Sequence, residues 1–397
     1  MLSINYSEKI LGLQDVIIKK VESDEENLRI FVELKRRIVK CPRCGAETST
    51  IHDYRTQKIK DISAFGKNVT IILRKRRYSC FCGKHFAEPN YFLPTYYRMT
   101  NRLVDDVINK LREERSYTSV AREMNLSVST VIRIFDYIKY PVPKIMPEVI
   151  GIDEFKGNAN GEKYLGILTD LKNGRVIDIL PKRYMYYLTG YFKDKDRSAT
   201  KYFISDMWRT YADISNVFFK NSTYVVDKYH WIRQVSWAFE NVRKEEQKRF
   251  SRTHRIYFKH SRKLLLKRFE TLTDEEKQQV NIMLFASANL SSAYFLKDEF
   301  LKILSYNDPE KSRIELKKWI DNALDCDIIH FVKCAKTLNT WLTGILNSFT
   351  CSYTNGFTEG CNNKIKVLKR NAYGYRNAER FRNRILHIFS NQIAKVA

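Results

Sequence analysis

Two tight pairs of cysteines constrain the fold of this chain most strongly: Cys41 with Cys44 in CPRCG, and Cys80 with Cys82 in CFCG. Alternating apolar and polar residues precede both pairs, in DVIIKKVESDEENLRIFVELKRR and in NVTIILRKRRYS, which predicts β-hairpins. Four thiolates on short turns bind one tetrahedral Zn²⁺, which stabilises a segment too small to form a core of its own. We therefore predict a zinc ribbon. Core cysteines are the alternative, and His85 is an alternative ligand because the second pair is one residue shorter than C-x-x-C.

An excess of basic residues indicates a polyanionic partner. The 397 residues include 70 lysines and arginines against 45 aspartates and glutamates, a net charge of +25, and 44% are hydrophobic, enough for buried cores. No apolar run reaches transmembrane length, which favours nucleic acid over a membrane. The N-terminal MLSINYSEKILGLQ lacks the layout of a signal peptide, so we expect a cytoplasmic protein.

A helical segment follows at Asn101 to Ile138, with a break at NLS. Ser127 is a candidate N-cap for the helix after the break. The small and aliphatic residues around the break are typical of a helix-turn-helix, which leaves Ser129, Thr130 and Arg133 to face a DNA major groove. Any helical hairpin is the alternative. The three prolines of YPVPKIMP then predict a linker.

Short apolar strands after the linker predict a mixed α/β sheet. EVIGID, KYLGILTDL and RVIDIL predict a three-strand meander, RYMYYLTGYFKD has helical spacing, and KYFISD and STYVVDKYH contain two further strands. From Trp231 to about Thr350 the pattern is helical and strongly basic, which predicts a helical insertion; a solvated helix face is the alternative explanation of its charge. The predicted core residues of this insertion are Trp237, Phe239, Leu264, Leu265, Trp319, Trp341 and Leu346.

Carboxylates at the ends of these strands predict a metal site. Asp153 and Asp206 each follow an apolar strand of one sheet, and two carboxylates placed close together repel each other unless a cation such as Mg²⁺ lies between them. Glu359 is the one acid in the basic segment SYTNGFTEGCNNKIKVLKRNAYGYR. A helix through this segment places Glu359, Lys366 and Arg370 on one face, so Glu359 would be a third metal ligand beside two phosphate-binding residues. Turn or cap residues, and a surface glutamate, are the alternatives.

The sequence resembles the DDE transposases of bacterial insertion sequences, in particular the ISL-three group. The matching segments are CPRCG with RRYSC, the helix-turn-helix, GIDEF, SDMWRTY, VVDKYH and NGFTEGCNNKIKVLKRNAYGYRN, in order along nearly the whole chain. The resemblance implies a multidomain α/β protein with a ribonuclease-H-like mixed sheet. The expected domains are an N-terminal hairpin and zinc ribbon (1–94), a helix-turn-helix (95–140), a linker (141–147), the first part of the catalytic core (148–230), an all-helical insertion (231–350) and the second part of the core (351–397).

The resemblance also implies the roles of the carboxylates. Asp153, Asp206 and Glu359 match the catalytic triad that binds two Mg²⁺ or Mn²⁺ ions, and Asp227 with His230 matches a supporting D-x-x-H signature. Asp227 also ends a strand and is the alternative second ligand. The implied reaction is metal-dependent hydrolysis at the ends of a mobile element, followed by attack of the freed 3′-hydroxyl on target DNA.

The implied partner is double-stranded DNA, both terminal inverted repeats and target, bound by a homodimer or larger assembly at the bacterial nucleoid and without a membrane. Two other functions stay open. One is a transposase-derived DNA-binding regulator without catalysis. The other is a metal-independent tyrosine recombinase, in which His230 and Arg233 form an H-x-x-R pair and Tyr257 lies downstream.

Overall fold

The computed structural model describes residues 12–13, 15–93, 98–258 and 261–390, without the side chains of residues 254, 256 and 257. The side chain of Tyr257 therefore lies outside the described part, as do the ends of the first and last predicted domains. The chain divides into two compact units. The first contains residues up to Tyr140 together with 365–375 and 383 onward, and the second contains 141–364 and 376–382.

A five-stranded sheet forms the first half of the first unit. Its strands are β1 (Val16–Ser23), β2 (Asn27–Leu34), β5 (Ile51–Lys60), β6 (Asn68–Ser79) and β7 (His85–Ala87). The order is β1-β2-β6-β5 with β7 paired to β6, and all neighbours are antiparallel except β2 and β6. The predicted hairpin around SDEEN is confirmed as β1 and β2. A separate short pair, β3 (Val39–Lys40) and β4 (Glu47–Thr48), carries the first cysteine turn.

Three helices follow: α1 (Asn101–Lys110), α2 (Tyr117–Glu123) and α3 (Val128–Asp136). Ser127 caps α3 as predicted, because its side chain accepts a hydrogen bond from the Thr130 N–H. The turn before it places Asn125 at φ +48°, a left-handed conformation that asparagine tolerates better than most residues. Val120, Ala121 and Val131 are buried. This is the packing of a helix-turn-helix.

The end of the last helix, α15 (Ala378–Phe389), completes the core of this unit. The buried Arg384 donates hydrogen bonds to the backbone carbonyls of Leu111, Glu113 and Arg115, just after α1. His387 is also fully buried. Its Nε2 lies 2.8 Å from the carbonyl oxygen of Ile108, so Nε2 carries the proton and Nδ1 accepts from the Tyr140 hydroxyl at 2.7 Å. Burial lowers the pKa of His387 to about 4, which keeps it neutral.

A mixed five-stranded sheet forms the centre of the second unit. Its strands are β8 (Val149–Ala159), β9 (Glu162–Asp170), β10 (Arg175–Leu180), β11 (Tyr202–Ser205) and β12 (Thr223–Val226). The order is β10-β9-β8-β11-β12: the first three form the predicted antiparallel meander, and β8, β11 and β12 are parallel. Two helices, α4 (Met185–Lys193) and α5 (Arg209–Phe218), connect the strands, and their apolar sides pack on the sheet. The predicted ribonuclease-H-like mixed sheet is confirmed.

A block of helices separates β12 from the rest of the core. It consists of α6 (Lys228–Arg249), α7 (Arg252–Phe258), α8 (Arg262–Leu266), a short 3₁₀ turn, α9 (Asp274–Phe285), α10 (Ala288–Ile303), α11 (Pro309–Leu324), α12 (Ile329–Thr340) and α13 (Leu342–Thr350). Phe239, Leu265 and Trp319 lie in its core as predicted. Trp237 was predicted wrongly: it is 46% exposed, on the opposite side of α6 from the buried Val235.

The helix with the lone acid, α14 (Gly356–Asn371), follows this block; its first part belongs to the second unit and its last turns to the first. Cys361, Ile365 and Leu368 are buried, as its periodicity predicted. Throughout the described residues, no helix is long and apolar enough to span a membrane. The exact domain boundaries remain predictions.

Candidate active site and zinc site

The four cysteines form the expected metal-binding cluster. Their sulfur atoms all lie within 4.8 Å of one another, with Cys41 Sγ 3.7 Å from Cys82 Sγ and Cys44 Sγ 3.5 Å from Cys80 Sγ. Tetrahedral zinc with Zn–S bonds of about 2.3 Å requires sulfur separations of roughly 3.8 Å, so the cluster fits Zn²⁺. This is a structural zinc site, with no open position for a reactant.

A tight turn with a glycine lets the C-x-C pair contribute two sulfur atoms to the cluster, as the C-x-x-C pair does. Gly45 (φ +76°) donates its N–H to the Cys41 carbonyl, and Gly83 (φ +80°) donates to the Cys80 carbonyl, both at 2.9 Å. A left-handed glycine after each pair lets the chain reverse within so few residues. His85 is not part of the cluster; its ring contacts that of His52 at a tilt of 49°, with centroids 4.1 Å apart. Cys82 therefore completes the set, and the alternative ligand is not needed.

Burial opposes ionisation of the Cys41 thiol, but N–H donors from Arg43 and Cys44 outweigh it and lower its pKa to about 6. A thiolate at Cys41 is therefore favoured at neutral pH even before a metal neutralises it.

The register of the parallel strands places three aspartates level with one another in the second sheet. Gly151 of β8 pairs with Ile204 of β11, so Asp153 and Asp206, each two residues further on, are level with each other. Ser205 pairs with Val226 of β12, which makes Asp206 level with Asp227 in the same way. Asp206 and Asp227 directly follow β11 and β12, where side chains of a parallel sheet can converge on a ligand. Asp153 was predicted wrongly to end its strand: β8 continues to Ala159, and Asp153 pairs with Ile167 of β9.

Asp206 is the most perturbed of the three. Burial, followed by the negative charges of Asp153 and Glu154, raises the pKa of its carboxyl to about 7. Its Oδ1 is buried without a hydrogen-bond partner. A desolvated carboxylate oxygen with no donor is costly unless a cation or proton neutralises it. This oxygen fits a hard divalent cation, which prefers carboxylate ligands.

Asp227 has protein partners instead. Its Oδ1 accepts a hydrogen bond from the backbone N–H of Asn355, just before α14, and its Oδ2 lies 3.9 Å from His230 Nε2. Burial is the main cause that raises the pKa of Asp227, and the charge of Glu359 adds to it. Asp227 therefore anchors the start of α14 beside the site.

Gly151 leaves room for the Asn355 side chain, because a Cβ there would lie 2.7 Å from Asn355 Oδ1 and 2.6 Å from Thr169 Oγ1.

Asp153 contacts a residue that the sequence reasoning missed. Asn362, on α14 one turn after Glu359, donates from Nδ2 to Asp153 Oδ2 at 2.9 Å. Its own Oδ1 is buried with no hydrogen-bond partner. Burial raises the pKa of Asp153, with Asp227 and Glu359 adding to the effect while His230 opposes it. Glu359, although exposed, is thus close enough to influence both Asp153 and Asp227 electrostatically.

The carboxylates converge without forming a closed cage. Among the described residues, the cysteine cluster is the one group of three or more potential ligand residues with atoms within 4.8 Å of each other. Carboxylates that repel one another turn apart when no cation joins them. The hard oxygen donors and the unpartnered Asp206 oxygen nevertheless fit Mg²⁺ or Mn²⁺.

A second acid next to Asp153 already has a partner. Glu154 Oε2 lies 2.6 Å from Arg183 Nη1, and its Oε1 accepts from the Tyr211 hydroxyl at 3.3 Å. Arg183 also stacks on the Trp208 ring at 4.6 Å. Glu154, the acid after Asp153 in GIDEF, therefore serves as the partner of the Arg183 guanidinium.

The predicted DNA-binding residues lie where they can reach solvent. Ser129 and Arg133 on α3 are exposed and Thr130 is half-buried. The Ser127 hydroxyl lies 3.1 Å from Ser129 Oγ and 2.8 Å from Thr130 Oγ1, so both hydroxyls take part in the helix cap. Lys366 and Arg370 are exposed on α14, as predicted.

A mixed sheet with three aligned aspartates, in a chain that also contains a zinc ribbon and a helix-turn-helix, defines an enzyme acting on DNA. Comparison with protein families agrees. A family model of ISL3-type DDE enzymes, described as transposase, matches residues 150–385. A model described as the zinc-finger of transposase IS204/IS1001/IS1096/IS1165 matches residues 37–82. A model of the helix-turn-helix domain of transposase family ISL3 matches residues 88–138. The chain belongs to the ISL3 family of transposases, and is a DNA-cleaving and DNA-transferring enzyme.

Curated relatives match different lengths of the chain. The transposase for insertion sequence element IS1001 of Bordetella parapertussis is 27% identical over 396 residues, covering 96% of this chain and 97% of the relative. The transposase for IS1557 of Mycobacterium tuberculosis is 24% identical over 310 residues, covering 69% and 68%. A protein of Lactococcus lactis named ATP-dependent protease is 33% identical over 111 residues, 28% of this chain and 34% of the relative.

Proposed function

We propose that this transposase uses a DDE mechanism in which Asp153, Asp206 and Glu359 hold two Mg²⁺ or Mn²⁺ ions. The observation that carries the proposal is the buried, unpartnered Oδ1 of Asp206, which is level with Asp153 of the adjacent strand β8. Asp206 is favoured over Asp227 as the second ligand because its buried Oδ1 has no donor, whereas the Oδ1 of Asp227 accepts from the Asn355 N–H.

Bound divalent ions supply activation of the attacking hydroxyl and stabilisation of the leaving oxygen. The protein residues position the reacting groups. Asp227 holds the start of α14, and thereby Glu359, while Asn362 fixes the orientation of the Asp153 carboxylate. His230 has a supporting role, because a positive charge on its imidazole would lower the pKa of both Asp153 and Asp227. The reaction is hydrolysis of a strand at the element's end, followed by attack of the new 3′-hydroxyl on target DNA.

The DNA partner is the pair of terminal inverted repeats and then a target site. Ser129, Thr130 and Arg133 would contact base edges, and Lys366 and Arg370 would bind phosphates, since exposed basic side chains provide affinity while groove contacts provide specificity. Both ends must be held together, so the active form is a homodimer or larger assembly. Its substrate places it at the bacterial nucleoid in the cytoplasm.

Cleavage of a labelled duplex carrying the element's own end tests this function. Wild type is compared with Asp153→Asn, Asp206→Asn and Glu359→Gln, each with Mg²⁺ or with EDTA. We expect nicking that requires Mg²⁺ and is abolished in all three variants, while binding to the duplex is retained. Unchanged cleavage by Asp153→Asn would reject the DDE assignment. Tight binding without nicking by the wild type would favour the regulator over the enzyme.

A further inference from the structure

One face of α6 carries large aromatic side chains in solvent. Tyr229 is 49% exposed and Trp237 is 46% exposed, although both belong to a helix whose other side is buried in the insertion core. Leaving so much aromatic surface in water forgoes a substantial burial energy. Exposed aromatic surface of this kind commonly marks a binding site.

An arginine joins the two aromatic rings. The Arg233 guanidinium lies 4.3 Å from the centroid of the Trp237 ring and 5.6 Å from that of Tyr229. The three residues are spaced four apart, so they stand one above another on the helix surface. Contact with both rings restricts the guanidinium to a defined position beside them.

The same face continues as a basic stripe. Asn241, Lys244 and Lys248 follow Trp237 at intervals of three or four residues, and all three are exposed. Within the described residues, Arg233, Lys244 and Lys248 form no ion pair. The neighbouring Glu245 has a partner of its own, because its Oε1 lies 2.8 Å from His330 Nε2. From Tyr229 to Lys248 the stripe is about 28 Å long.

The stripe begins at the candidate active site. α6 starts directly after Asp227, and the ring of Tyr229 contacts that of His230 with centroids 5.5 Å apart. A ligand lying along this face therefore has one end beside the carboxylates. The alternation of aromatic rings with positive charges fits a chain that has flat faces and a negative backbone.

We infer that this face of α6 binds an unpaired DNA strand next to the cleavage point, with bases stacking on Trp237 and Tyr229 and phosphates bound by Arg233, Lys244 and Lys248. The inference rests on the proposed function, because it identifies the strand as one that leaves the DDE site. Aromatic faces with adjacent cations are how proteins bind single strands without reading sequence. The absence of any acidic partner for these cations among the described residues favours a nucleic acid over a protein partner.

The test measures binding by the full-length protein to two probes. One is the fully paired duplex of the element's end, and the other has the same sequence with several unpaired nucleotides at the cleavage point, one of them 2-aminopurine. For Trp237→Ala we expect binding to the unpaired probe to weaken by between about fivefold and a hundredfold, with little change on the duplex. The stacking change in 2-aminopurine fluorescence should disappear in Trp237→Ala and persist in Trp237→Phe.

Phe285→Ala is the matched control, because Phe285 is 95% exposed in the same helical block but lies on α9. It should bind both probes as the wild type does. A second variant, Lys244→Gln with Lys248→Gln, should lower the log-log salt slope on the unpaired probe by about 1.4, at about 0.7 for each phosphate contact.

Two outcomes of the binding measurement would overturn the stacking site: equal weakening of Trp237→Ala on both probes, or no weakening at all. These binding measurements do not depend on catalysis and can be made in Asp153→Asn. If the DDE assignment is wrong, the cleavage assay will show it. If the strand-binding site on α6 is wrong, only the binding assay will show it.

Discussion

Asn362 Nδ2 donates a hydrogen bond to Asp153 Oδ2 at 2.9 Å, which links the helix of the glutamate to the strand of the first aspartate. The other amide atom, Oδ1, is buried without a partner. Asn362 is thus a positioning residue: it fixes the orientation of a carboxylate and presents an acceptor at the same place.

Replacing Asn362 should impair catalysis more than folding. A hydrogen bond to a charged group contributes about 1.5–3 kcal/mol, so we expect Asn362→Ala to lower the nicking rate by roughly tenfold to a hundredfold at limiting Mg²⁺. Part of the loss should be recovered at high Mg²⁺. Asn221→Ala, an exposed site at the far end of β12, is the control and should leave the rate unchanged. A Mg²⁺ titration of nicking checks this, and a wild-type curve for Asn362→Ala would contradict it.

Asp206 should make the protein less stable as pH rises. Its folded pKa of about 7 lies above its ordinary value of 3.8, so the folded state binds the additional proton and stability is lost between these two pH values. Without divalent ions at pH 8, we therefore expect Asp206→Asn to be more stable than wild type by about 2–4 kcal/mol. Thermal unfolding of both proteins at pH 5 and pH 8 measures this difference in stability. An equal effect at both pH values would show that ionisation is not the cause.

Mg²⁺ should reverse the order of stability of the wild type and Asp206→Asn. A cation that binds the folded carboxylates raises the stability of the wild type in proportion to its binding, and has less to bind in Asp206→Asn. We expect the unfolding temperature at pH 8 to rise with Mg²⁺ in wild type and to rise less in the variant. Asp227→Ala offers a contrast, since it removes the acceptor of the Asn355 N–H and should destabilise by about 1–3 kcal/mol with or without Mg²⁺.

The zinc site should depend on Cys82 and not on His85. We expect Cys82→Ser to release zinc and unfold the ribbon, because a structural zinc contributes directly to folding. His85→Ala should retain the metal in equimolar amount, since His85 is outside the cluster. Metal content of the purified proteins by mass spectrometry distinguishes the two. Loss of zinc from His85→Ala would restore the histidine as a ligand.

Arg384 should stabilise the helix-turn-helix despite its distance in sequence. Arg384→Ala leaves the carbonyls of Leu111, Glu113 and Arg115 without their buried donor, so we expect a loss of about 2–4 kcal/mol. Weaker binding to the terminal repeat should accompany it. Arg122→Ala, exposed on α2, serves as the control for stability. Thermal unfolding monitored by circular dichroism gives the comparison, and equal stability of the two variants would argue against the role of Arg384.

The strands and cysteine turns can be predicted from the sequence because local patterns determine them. The apolar run before Asp206 predicts correctly that this residue follows a strand. The same reasoning fails for Asp153, because β8 stays paired with β9 as far as Ala159. Trp237 was misplaced because its size was given more weight than its position: Val235 is buried, and two residues along a helix turn the side chain by about 200°.

Contacts between distant segments could not be predicted in this way. Asn362 and Asn363 follow Glu359 by three and four residues, so both amides lie on the same side of the helix as Glu359. Only the packing of α14 on the sheet determines that Asn362 contacts Asp153. Arg384 and His387 contact residues more than 250 positions earlier, and no local pattern carries that information.

The hydrogen bond between Asp227 and Asn355 joins residues 128 positions apart, on either side of the helical block. The chain thus leaves the sheet and returns to it at nearly one point, so the helical block is an insertion with both ends fixed. Lengthening such an insertion costs little free energy, since each doubling of the length of a flexible loop adds only about 0.6 kcal/mol of closure entropy. Evolution can therefore enlarge, shorten or exchange the block to suit new DNA ends while the carboxylates stay in place.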